Sequence, residues 1–407
     1  MSLNKHPDFL IIGAGIVGLT IALELKKQFT DSSITIIEKE ERPGEHASGR
    51  NSGVLHAGFY YTADSLKAKL CRDGNLAWQE YCKERALTVN HCGKLVVARN
   101  EVELKGLDEL YKRSQINSVE LKKITAEEAL EIEPNVYTFD RALWSPTTAT
   151  VNPVEVIESV LKDIKEAGIT LLNNTTYLRR VGGKIITSNG EFESAYVINA
   201  AGLYADKIAK DYGFSKDYKI LPFKGIYLYA NDQKEGMGLK LKTNIYPVPD
   251  LRNPFLGVHF TVTAENKTKI GPTAIPAFWR ENYAGFEKFN MKEMIDILGI
   301  DASLLLANNF GFRKLAINEM MKYSKRKLVQ LAGSLVREIN QDGFVHWGKP
   351  GIRAQLINIK TKELEMDFKY EGDETSFHVL NAVSPAFTCA IPFSEYLVKK
   401  IKEKINS

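Results

Sequence analysis

The segment from Phe9 to Glu38 constrains the fold of this chain more than any other. An apolar strand leads into Gly13, Gly15 and Gly18, which have the spacing of a dinucleotide-binding turn. A helix is expected next, and then a second strand that ends at Glu38, 20 positions after the third glycine. Because strand, turn, helix, strand and acid fall in register, the segment predicts a β–α–β unit that binds an adenine dinucleotide.

Each glycine meets a separate physical requirement of such a turn. Gly13 permits the tight turn, Gly15 lets the backbone approach a pyrophosphate, and Gly18 lets helix and strand pack closely. The pyrophosphate would lie at the helix N-terminus, where unpaired N–H groups and the helix dipole favour an anion. Glu38 would accept hydrogen bonds from a ribose hydroxyl. These four residues suit NAD and FAD equally.

The length and the charge balance of the chain limit the classes of protein to which it can belong. A chain of 407 residues is too long for one ordinary core, so two or three structural units are expected. Its 54 basic and 50 acidic side chains are too evenly balanced to predict nucleic acid as the main partner. Four cysteines without C-x-x-C spacing predict reduced, buried thiols rather than a metal site. They are Cys71, Cys82, Cys92 and Cys389.

The first strand begins so early that no signal peptide is expected before it. No apolar run approaches the roughly 18 to 20 residues of a spanning helix. These features predict a cytoplasmic location, with peripheral contact at the inner face of a membrane as the alternative. Basic runs at Lys322–Lys327 and Lys399–Lys404 are more typical of solvated helix faces than of a membrane anchor.

A second informative stretch, from Ser48 to Gly58, follows the β–α–β unit. Its glycines and small hydroxyl residues allow the backbone to lie close against a flat ligand. Long ordered polar segments beside a cofactor site are usually functional. Cofactor contact is therefore favoured over a surface loop that carries His56 by chance.

Beyond these motifs the pattern divides the chain. The apolar stretch Tyr196–Gly202 ends in a glycine and reads as a second strand of the nucleotide sheet, brought back after an insertion. From residue 216 onward, strand-like stretches at Tyr218–Leu228 and Phe255–Val262 precede helical ones at Met291–Leu298 and Ala302–Leu306. This change indicates a separate unit on the substrate side.

Several runs of residues together carry a family resemblance over nearly the whole chain. They are residues 48–61, 66–71, 92–95, 200–206, 245–250, 254–261, 271–272, 351–355 and 381–386. In these runs the chain resembles the flavin oxidoreductases of the D-amino-acid oxidase superfamily, specifically the L-2-hydroxyglutarate oxidases and dehydrogenases. The stretches Tyr-Pro-Val-Pro-Asp and Pro-Phe-Leu-Gly-Val-His are much more specific than the glycine turn, which marks only a dinucleotide binder.

The resemblance implies an α/β fold of the glutathione-reductase-like flavoprotein type. A Rossmann-like FAD-binding domain would be interleaved with an α+β substrate domain built on a mainly antiparallel sheet. The expected FAD-binding domain is discontinuous and comprises residues 1–87, 146–215 and 343–407. The expected substrate-binding domain comprises residues 88–145 and 216–342.

The cofactor implied by the resemblance is noncovalent FAD, which would accept hydride from the substrate. No metal ligands are expected. The residues expected to contact FAD are Gly13, Gly15, Ile16, Val17, Gly18, Glu38, Lys39, Ser48, Arg50, Asn51, Ser52, Gly53, Ala201, Gly202, Gly351, Ser384 and Pro385.

An α-hydroxy acid needs a cation for its carboxylate. Arg353 matches the family arginine near the flavin, and a guanidinium can clamp a carboxylate at two points. The alternative is an ordinary surface arginine. Lys224 is the candidate for a distal carboxylate, at a position where relatives commonly carry arginine. Lysine keeps the charge but loses the fork, so the identity of the substrate stays open.

The same substrate needs a base for its hydroxyl group. His56 is the first candidate, because its unperturbed pKa lies near neutrality and its loop should approach the flavin. The alternative is a histidine that only contacts the cofactor. His259 is the second candidate, although a packing role is favoured for it. Tyr61 and Tyr246 are candidates to line the pocket, with strand packing as the alternative.

These residues and the resemblance predict FAD-dependent oxidation of L-2-hydroxyglutarate to 2-oxoglutarate by hydride transfer from substrate C2 to the flavin. The first alternative is an amino-acid or secondary-amine oxidase or dehydrogenase of the same superfamily, which would need no second cation. A flavin-binding protein without turnover is the other. The electron acceptor, oxygen or a membrane quinone, stays open, as does the oligomeric state.

Overall fold

The computed structural model describes residues 5–231, 239–250, 256–308 and 311–406. The strands, in chain order, are β1 (Phe9–Ile12), β2 (Ile34–Ile37), β3 (Val54–Leu55), β4 (Val89–Asn90), β5 (Lys94–Val97), β6 (Lys122–Thr125), β7 (Arg141–Ser145), β8 (Ala149–Val151), β9 (Thr170–Leu172), β10 (Tyr177–Val181), β11 (Lys184–Thr187), β12 (Gly190–Phe192), β13 (Tyr196–Asn199), β14 (Tyr218–Gly225), β15 (Leu228–Ala230), β16 (Asn244–Pro247), β17 (His259–Val262), β18 (Thr268–Gly271), β19 (Ile275–Pro276), β20 (Phe344–Trp347), β21 (Gly351–Asn358), β22 (Glu363–Leu364), β23 (Lys369–Gly372) and β24 (Ser376–Asn381). The α-helices are α1 (Ile16–Gln28), α2 (Leu66–Glu84), α3 (Glu101–Ile116), α4 (Ala126–Ile132), α5 (Pro153–Glu166), α6 (Ala205–Asp211), α7 (Met291–Ala307), α8 (Phe312–Met321), α9 (Lys325–Gly333) and α10 (Ala386–Ile405).

The chain divides into two compact units. The first comprises residues 1–50, 153–222 and 353–407, and the second comprises residues 51–152 and 223–352. This division differs from the predicted domain boundaries, which gave residues 51–87, 146–152 and 343–352 to the first domain and residues 216–222 to the second. Strand pairing explains the difference, since β3 and β4 both pair with β8, and β20 pairs with β15.

The first unit contains a six-stranded sheet in the order β23-β24-β13-β1-β2-β9. The five strands from β24 to β9 are parallel, and only β23 is antiparallel to its neighbour. β1 is buried along its whole length, which explains its continuous apolar sequence. The strand order reverses at β1 and β13, and the carboxyl ends of strands at such a point form a ligand crevice. The predicted Rossmann-like architecture is confirmed.

The second unit contains an eight-stranded sheet in the order β20-β15-β18-β17-β16-β5-β7-β6. Every pair is antiparallel except β16 with β5, so the prediction of a mainly antiparallel sheet is confirmed. Successive residues of a strand point to opposite faces. Leu95 lies in a cluster with residues of α9, whereas Val96 and Tyr246 lie in one with residues of α3 and residues 57–60.

Some predicted elements differ from the observed ones. The two predicted helical stretches between residues 291 and 306 form one continuous helix, α7. Gly299, which lies between them, is tolerated because a single glycine lowers helix stability by only about 1 kcal/mol. The predicted strand Tyr218–Leu228 ends at Gly225, and a new strand starts at Leu228. Of the predicted strand Phe255–Val262, residues 259–262 form β17, and Phe255 lies outside the described residues.

Two further features bear on the sequence predictions. All four cysteines are buried, as expected. Within the described ranges, no helix combines the length and the apolar character needed to cross a membrane.

Candidate active site

The glycine turn of the first unit is closely packed. Gly13 has φ = +105°, a left-handed conformation that side chains rarely adopt. A Cβ atom at Gly13 would lie 2.7 Å from the carbonyl oxygen of Ala200, which follows β13. A Cβ atom at Gly18 would lie only 2.0 Å from the carbonyl oxygen of Gly13. The turn therefore requires glycine at both positions, and it lies where the strand order reverses.

The N-terminus of α1 is suited to an anion. Gly15 occupies the N-cap position without a side-chain cap, and no acidic residue lies in the first turn. The N–H of Ile16 donates to Ser48 Oγ at 2.9 Å, which brings the start of the polar stretch to this helix end. The glycine at the N-cap, the first turn without acidic residues and the helix dipole fit a pyrophosphate group.

Glu38 is fixed at the end of β2 and is 7% exposed. One carboxylate oxygen accepts the N–H of Ala14 at 2.9 Å, and the other accepts the N–H of Glu40 at 3.0 Å. An ionised carboxylate has about four lone-pair sites, so each oxygen can still accept a ribose hydroxyl. The glycine turn, the helix end and this acid together fit the adenine dinucleotide that the sequence predicts.

The other predicted FAD contacts of the first unit lie in several segments. Ile16 is buried and Val17 half-buried in the first turn of α1, and Ala201 and Gly202 lie two and three residues after the end of β13. Lys39 forms an ion pair with Glu40. The list is completed by Arg50, which donates to the carbonyl of Glu45, and by Ser384 and Pro385, which directly precede α10.

Four predicted FAD contacts belong to the second unit. The N–H of Gly53 donates to Asn51 Oδ1 at 2.8 Å, and the N–H of Val54 donates to Ser52 Oγ at 3.3 Å. These local bonds fold residues 51–53 into a tight turn before β3. Gly351 is the first residue of β21.

His56 directly follows β3 and is 7% exposed. Two side chains of α2 hold this point of the chain. Asn75 Nδ2 donates to the carbonyl of Leu55 at 2.8 Å, and Cys71 Sγ donates to the carbonyl of His56 at 3.3 Å. Gly58 has φ = +104°, and a Cβ atom there would lie 3.2 Å from Cys71 Cβ. The backbone that carries His56 is thus held close against α2.

The end of α3 holds the residues that follow. Asn117 Nδ2 donates to the carbonyls of Gly58 at 3.1 Å and Tyr61 at 3.0 Å. Arg113 Nη1 donates to the carbonyl of Tyr60 at 2.8 Å. These three hydrogen bonds hold the segment after His56 against the end of α3.

A cluster of aromatic and basic side chains surrounds Lys94, a fully buried lysine of β5. Its Nζ lies 4.6 Å from the ring centroid of Tyr246, 5.1 Å from that of Tyr60 and 5.3 Å from that of Phe59. Tyr246 stacks on His259, with 3.7 Å between ring centroids and 17° between planes. The structure therefore brings the predicted residues Tyr246 and His259 together.

The electrostatics of this cluster are dominated by burial. Burial, then the charge of Lys94, and then that of His259 hold the pKa of His56 well below its usual value. Burial lowers the pKa of Lys94 to about 7. Burial also raises the pKa of Tyr60 and of Tyr246, so both phenols stay protonated at neutral pH. His56 is accordingly neutral at physiological pH and able to accept a proton.

The remaining predicted substrate residues lie apart in the chain. Lys224, on β14, is 7% exposed, and burial lowers its pKa. Tyr61 is half-buried, with Lys67 Nζ 6.0 Å from its ring centroid. Arg353 is a half-buried residue of β21 and opens the last segment of the first unit.

Sequence reasoning did not single out Lys94 as a functional residue. The available signal was a lone lysine within the apolar strand Gly93–Ala98. Lysine is almost never fully buried without a partner, so its position on a central strand could have marked it. The identity of its neighbours is not visible in the local sequence.

The nucleotide turn, the acid of the second strand and the reversal of strand order define an α/β enzyme fold that binds a dinucleotide. The chain belongs to the family of FAD-dependent oxidoreductases, whose family model matches residues 8–333. The predicted family membership and the predicted cofactor, FAD, are thereby confirmed.

Relatives from bacteria and animals match nearly the whole chain. The chain is 32% identical to L-2-hydroxyglutarate dehydrogenase of Escherichia coli K12, over 98% of this chain and 94% of the bacterial protein. It is 35% identical to the human mitochondrial L-2-hydroxyglutarate dehydrogenase, over 98% of this chain and 89% of the human protein.

Solved structures share the fold at lower identity. An FAD-bound L-α-glycerophosphate oxidase from Mycoplasma pneumoniae superposes with a TM-score of 0.77 at 22% identity, covering 98% of this chain and 95% of the other. Glycine oxidase from Geobacillus kaustophilus gives a TM-score of 0.70 at 18% identity, with coverage of 98% and 96%. These likenesses establish the fold.

Proposed function

We propose that this chain oxidises L-2-hydroxyglutarate to 2-oxoglutarate. The observation that carries the proposal is the 32–35% identity, over nearly the full length of both partners, to bacterial and animal proteins that bear the name L-2-hydroxyglutarate dehydrogenase. The nucleotide-binding turn of the first unit would hold the adenine dinucleotide part of FAD. When bound, FAD supplies the acceptor for the hydride from substrate C2.

His56 would take the proton of the substrate hydroxyl as the carbonyl of the product forms. Three features of the structure support this role. The imidazole is buried, its pKa lies well below the usual value, and its backbone is held by α2. A base must be neutral before it accepts a proton, and these features keep His56 neutral at physiological pH.

Two cations would hold the substrate's carboxylates. Arg353 would clamp the carboxylate beside the reacting carbon, because a guanidinium donates two parallel hydrogen bonds to a carboxylate. Lys224 would bind the distal carboxylate as a point charge. Its burial supports this role, since a buried ammonium is stabilised by an anion that enters beside it. Tyr61, Tyr246 and His259 would line the pocket.

Anaerobic mixing experiments test the proposal. Oxidised protein is mixed with L-2-hydroxyglutarate, its D-enantiomer, L-malate, glycine or L-proline, and the yellow flavin band is followed. Bleaching by L-2-hydroxyglutarate, and much faster than by the other compounds, is expected. Bleaching only by an amino acid would instead indicate an amine oxidase or dehydrogenase. No bleaching by any compound would leave a flavin-binding protein without turnover.

The electron acceptor would be oxygen or a membrane quinone, and the protein would be cytoplasmic or peripheral on the inner face of a membrane. Reduced protein mixed in turn with air-saturated buffer and with an anaerobic soluble quinone separates the two acceptors. Reoxidation at least tenfold faster by the quinone identifies a dehydrogenase, and the reverse identifies an oxidase. Sedimentation of the protein with vesicles of anionic lipid tests the membrane contact.

A further inference from the structure

Lys94 is a fully buried, charge-bearing side chain of the second unit. Its side chain has no exposed surface, and its Nζ has no hydrogen-bond partner among the described residues. Removing an ammonium from water costs several kcal/mol, and buried polar groups are almost always hydrogen-bonded. The rings of Phe59, Tyr60 and Tyr246 offset part of this cost through cation–π attraction.

A second buried lysine of the same sheet provides a direct comparison. Lys269, on β18, also lies over two rings, 4.5 Å from the centroid of Tyr227 and 5.6 Å from that of Tyr229. Its Nζ, however, donates a hydrogen bond to the carbonyl of Ser52 at 3.2 Å. Lys269 therefore has an evident structural role in fixing the turn before β3. Among the residues that the structure describes, the amine of Lys94 makes no such hydrogen bond.

The rings around Lys94 are connected to His56 through the chain and through His259. Two of the three rings around the Lys94 amine, Phe59 and Tyr60, lie three and four residues after His56 in the segment held by α2 and α3. The third ring, Tyr246, stacks on His259, whose charge also lowers the pKa of His56. Lys94 is too enclosed to contact a substrate, so any effect on the reaction must pass through a neighbour.

The groups that face this cluster come from every element packed around it. They are Lys94 on β5, Tyr246 on β16, His259 on β17, Cys71 on α2, Cys92 just before β5, Tyr227 just before β15, and Tyr60 in the segment after His56. No aspartate or glutamate is among these groups. The cationic groups of this set that act on His56 are therefore Lys94 and His259, and the effect of Lys94 is the larger.

We propose that Lys94 is a positioning residue for His56, and that its enclosed ammonium keeps the imidazole in the neutral form that can accept a proton. The ammonium repels a positive charge on the His56 ring, and this repulsion is strong in a water-poor interior. This role of Lys94 rests on the proposed role of His56 as the base.

The pKa values set the order in which the two groups titrate. Lys94 gains its proton as the pH falls through about 7, whereas His56 has its pKa well below 6.5. The ammonium is therefore already formed when the imidazole would begin to titrate. Without this charge, burial and His259 would still lower the pKa of His56, but by less.

Nuclear magnetic resonance of histidine rings tests the proposal without any substrate. The chain has seven histidines, so selectively labelled FAD-loaded protein gives a small set of ring signals, and His56→Asn identifies the one from His56. The expected result is that His56 stays neutral well below pH 6.5 in the unaltered protein. Lys94→Met, which keeps the length of the side chain, should raise its titration midpoint. Lys94→Arg, which keeps the charge, should leave the midpoint low.

Lys269→Met is the matched control, because it also removes a buried amine over tyrosine rings. It should leave the His56 midpoint unchanged. The proposal is overturned if His56 titrates near 6.5 in the unaltered protein, a result that needs no variant to fold. It is also overturned if Lys94→Met leaves the midpoint in place, or if Lys94→Arg and Lys94→Met raise it equally.

A kinetic measurement connects the charge to the reaction. The rate of anaerobic flavin reduction by L-2-hydroxyglutarate is compared at pH 6 and pH 8. Lys94→Met should lower the rate at pH 6 relative to the rate at pH 8, because more His56 is then protonated at pH 6. Lys94→Arg should preserve this ratio. A ratio unchanged in Lys94→Met contradicts the role of Lys94 in the reaction. Absence of reduction at both pH values in the unaltered protein contradicts the proposed function instead, and leaves the resonance result standing.

Discussion

The close packing of the glycine turn gives a sharp prediction for Gly18→Ala. The added Cβ atom would lie 2.0 Å from the carbonyl oxygen of Gly13, about 1 Å closer than real Cβ atoms approach. The obstacle is backbone, so relief requires α1 to move away from β1. Overpacking of this kind costs about 1–3 kcal/mol, which exceeds the gain of up to about 1 kcal/mol from replacing glycine by alanine in a helix.

Gly299→Ala measures separately the stability gained when alanine replaces glycine in a helix. Gly299 lies within α7, is exposed, and would bring its Cβ within 4 Å of nothing. This variant should therefore raise stability by about 0.5–1 kcal/mol. For domains of 150–250 residues, a loss of 1 kcal/mol lowers the melting temperature by about 2–4 °C. Gly18→Ala should thus melt several degrees lower, and Gly299→Ala slightly higher, than the unaltered protein.

The assay measures both stability and cofactor affinity. Apoprotein of each variant is melted at a fixed scan rate, and FAD is titrated back while flavin fluorescence is followed. A shift of α1 moves the N–H groups that would bind the pyrophosphate, so Gly18→Ala should weaken FAD binding about tenfold or more, equivalent to at least about 1.4 kcal/mol. If Gly18→Ala binds FAD and melts like the unaltered protein while Gly299→Ala behaves as expected, the close approach of turn and helix is refuted.

Three further predictions concern single side chains. His56→Asn should retain FAD, measured by flavin absorbance, and lose about 10²–10⁴-fold in kcat for L-2-hydroxyglutarate; a kcat within twofold would exclude His56 as the base. Arg353→Ala should raise KM about tenfold or more, with Arg353→Lys intermediate because it loses the fork, and an unchanged kcat/KM would exclude the clamp. Burial lowers the pKa of His378 to about 4 in the folded state, against 6.5 unfolded. The unfolded state thus binds more protons as the pH falls, and about 3 kcal/mol of stability, complete above pH 6.5, is lost towards pH 4. Melting temperatures between pH 7.5 and 4.5 should therefore fall less steeply in His378→Asn than in the unaltered protein, and parallel slopes would contradict this.

The nucleotide-binding turn could be predicted from sequence because its constraints are local. The conformation of Gly13 and the clash at Gly18 both arise within the first turn and helix. Glu38 binds the N–H of Ala14, so its position is set by the pairing of two strands that are close in the chain. The spacing of residues in the sequence is enough to predict contacts between segments that are this close in the chain.

The placement of residues 51–87 could not be predicted in the same way. Their unit is decided by β3, a strand of only two residues, which pairs with residues 149–150. Such a short strand has no periodicity, and its partner lies nearly a hundred positions away. The specific runs of the resemblance identified the family and the cofactor, but they contain no information on which strand pairs with which.

Lys94 shows why a candidate site is more than its motif residues. The environment of Lys94 depends on the pairing of β5 with β16, which brings Tyr246 beside it. It also depends on the segment after His56, which brings Phe59 and Tyr60. A core optimised for stability alone would favour an apolar residue here, because replacing a buried charge by a side chain of similar volume is often neutral or stabilising. Lys94→Met should accordingly melt no lower than the unaltered protein. A fall of several degrees would assign Lys94 to the core, whereas equal stability with an altered titration of His56 would assign it to the chemistry.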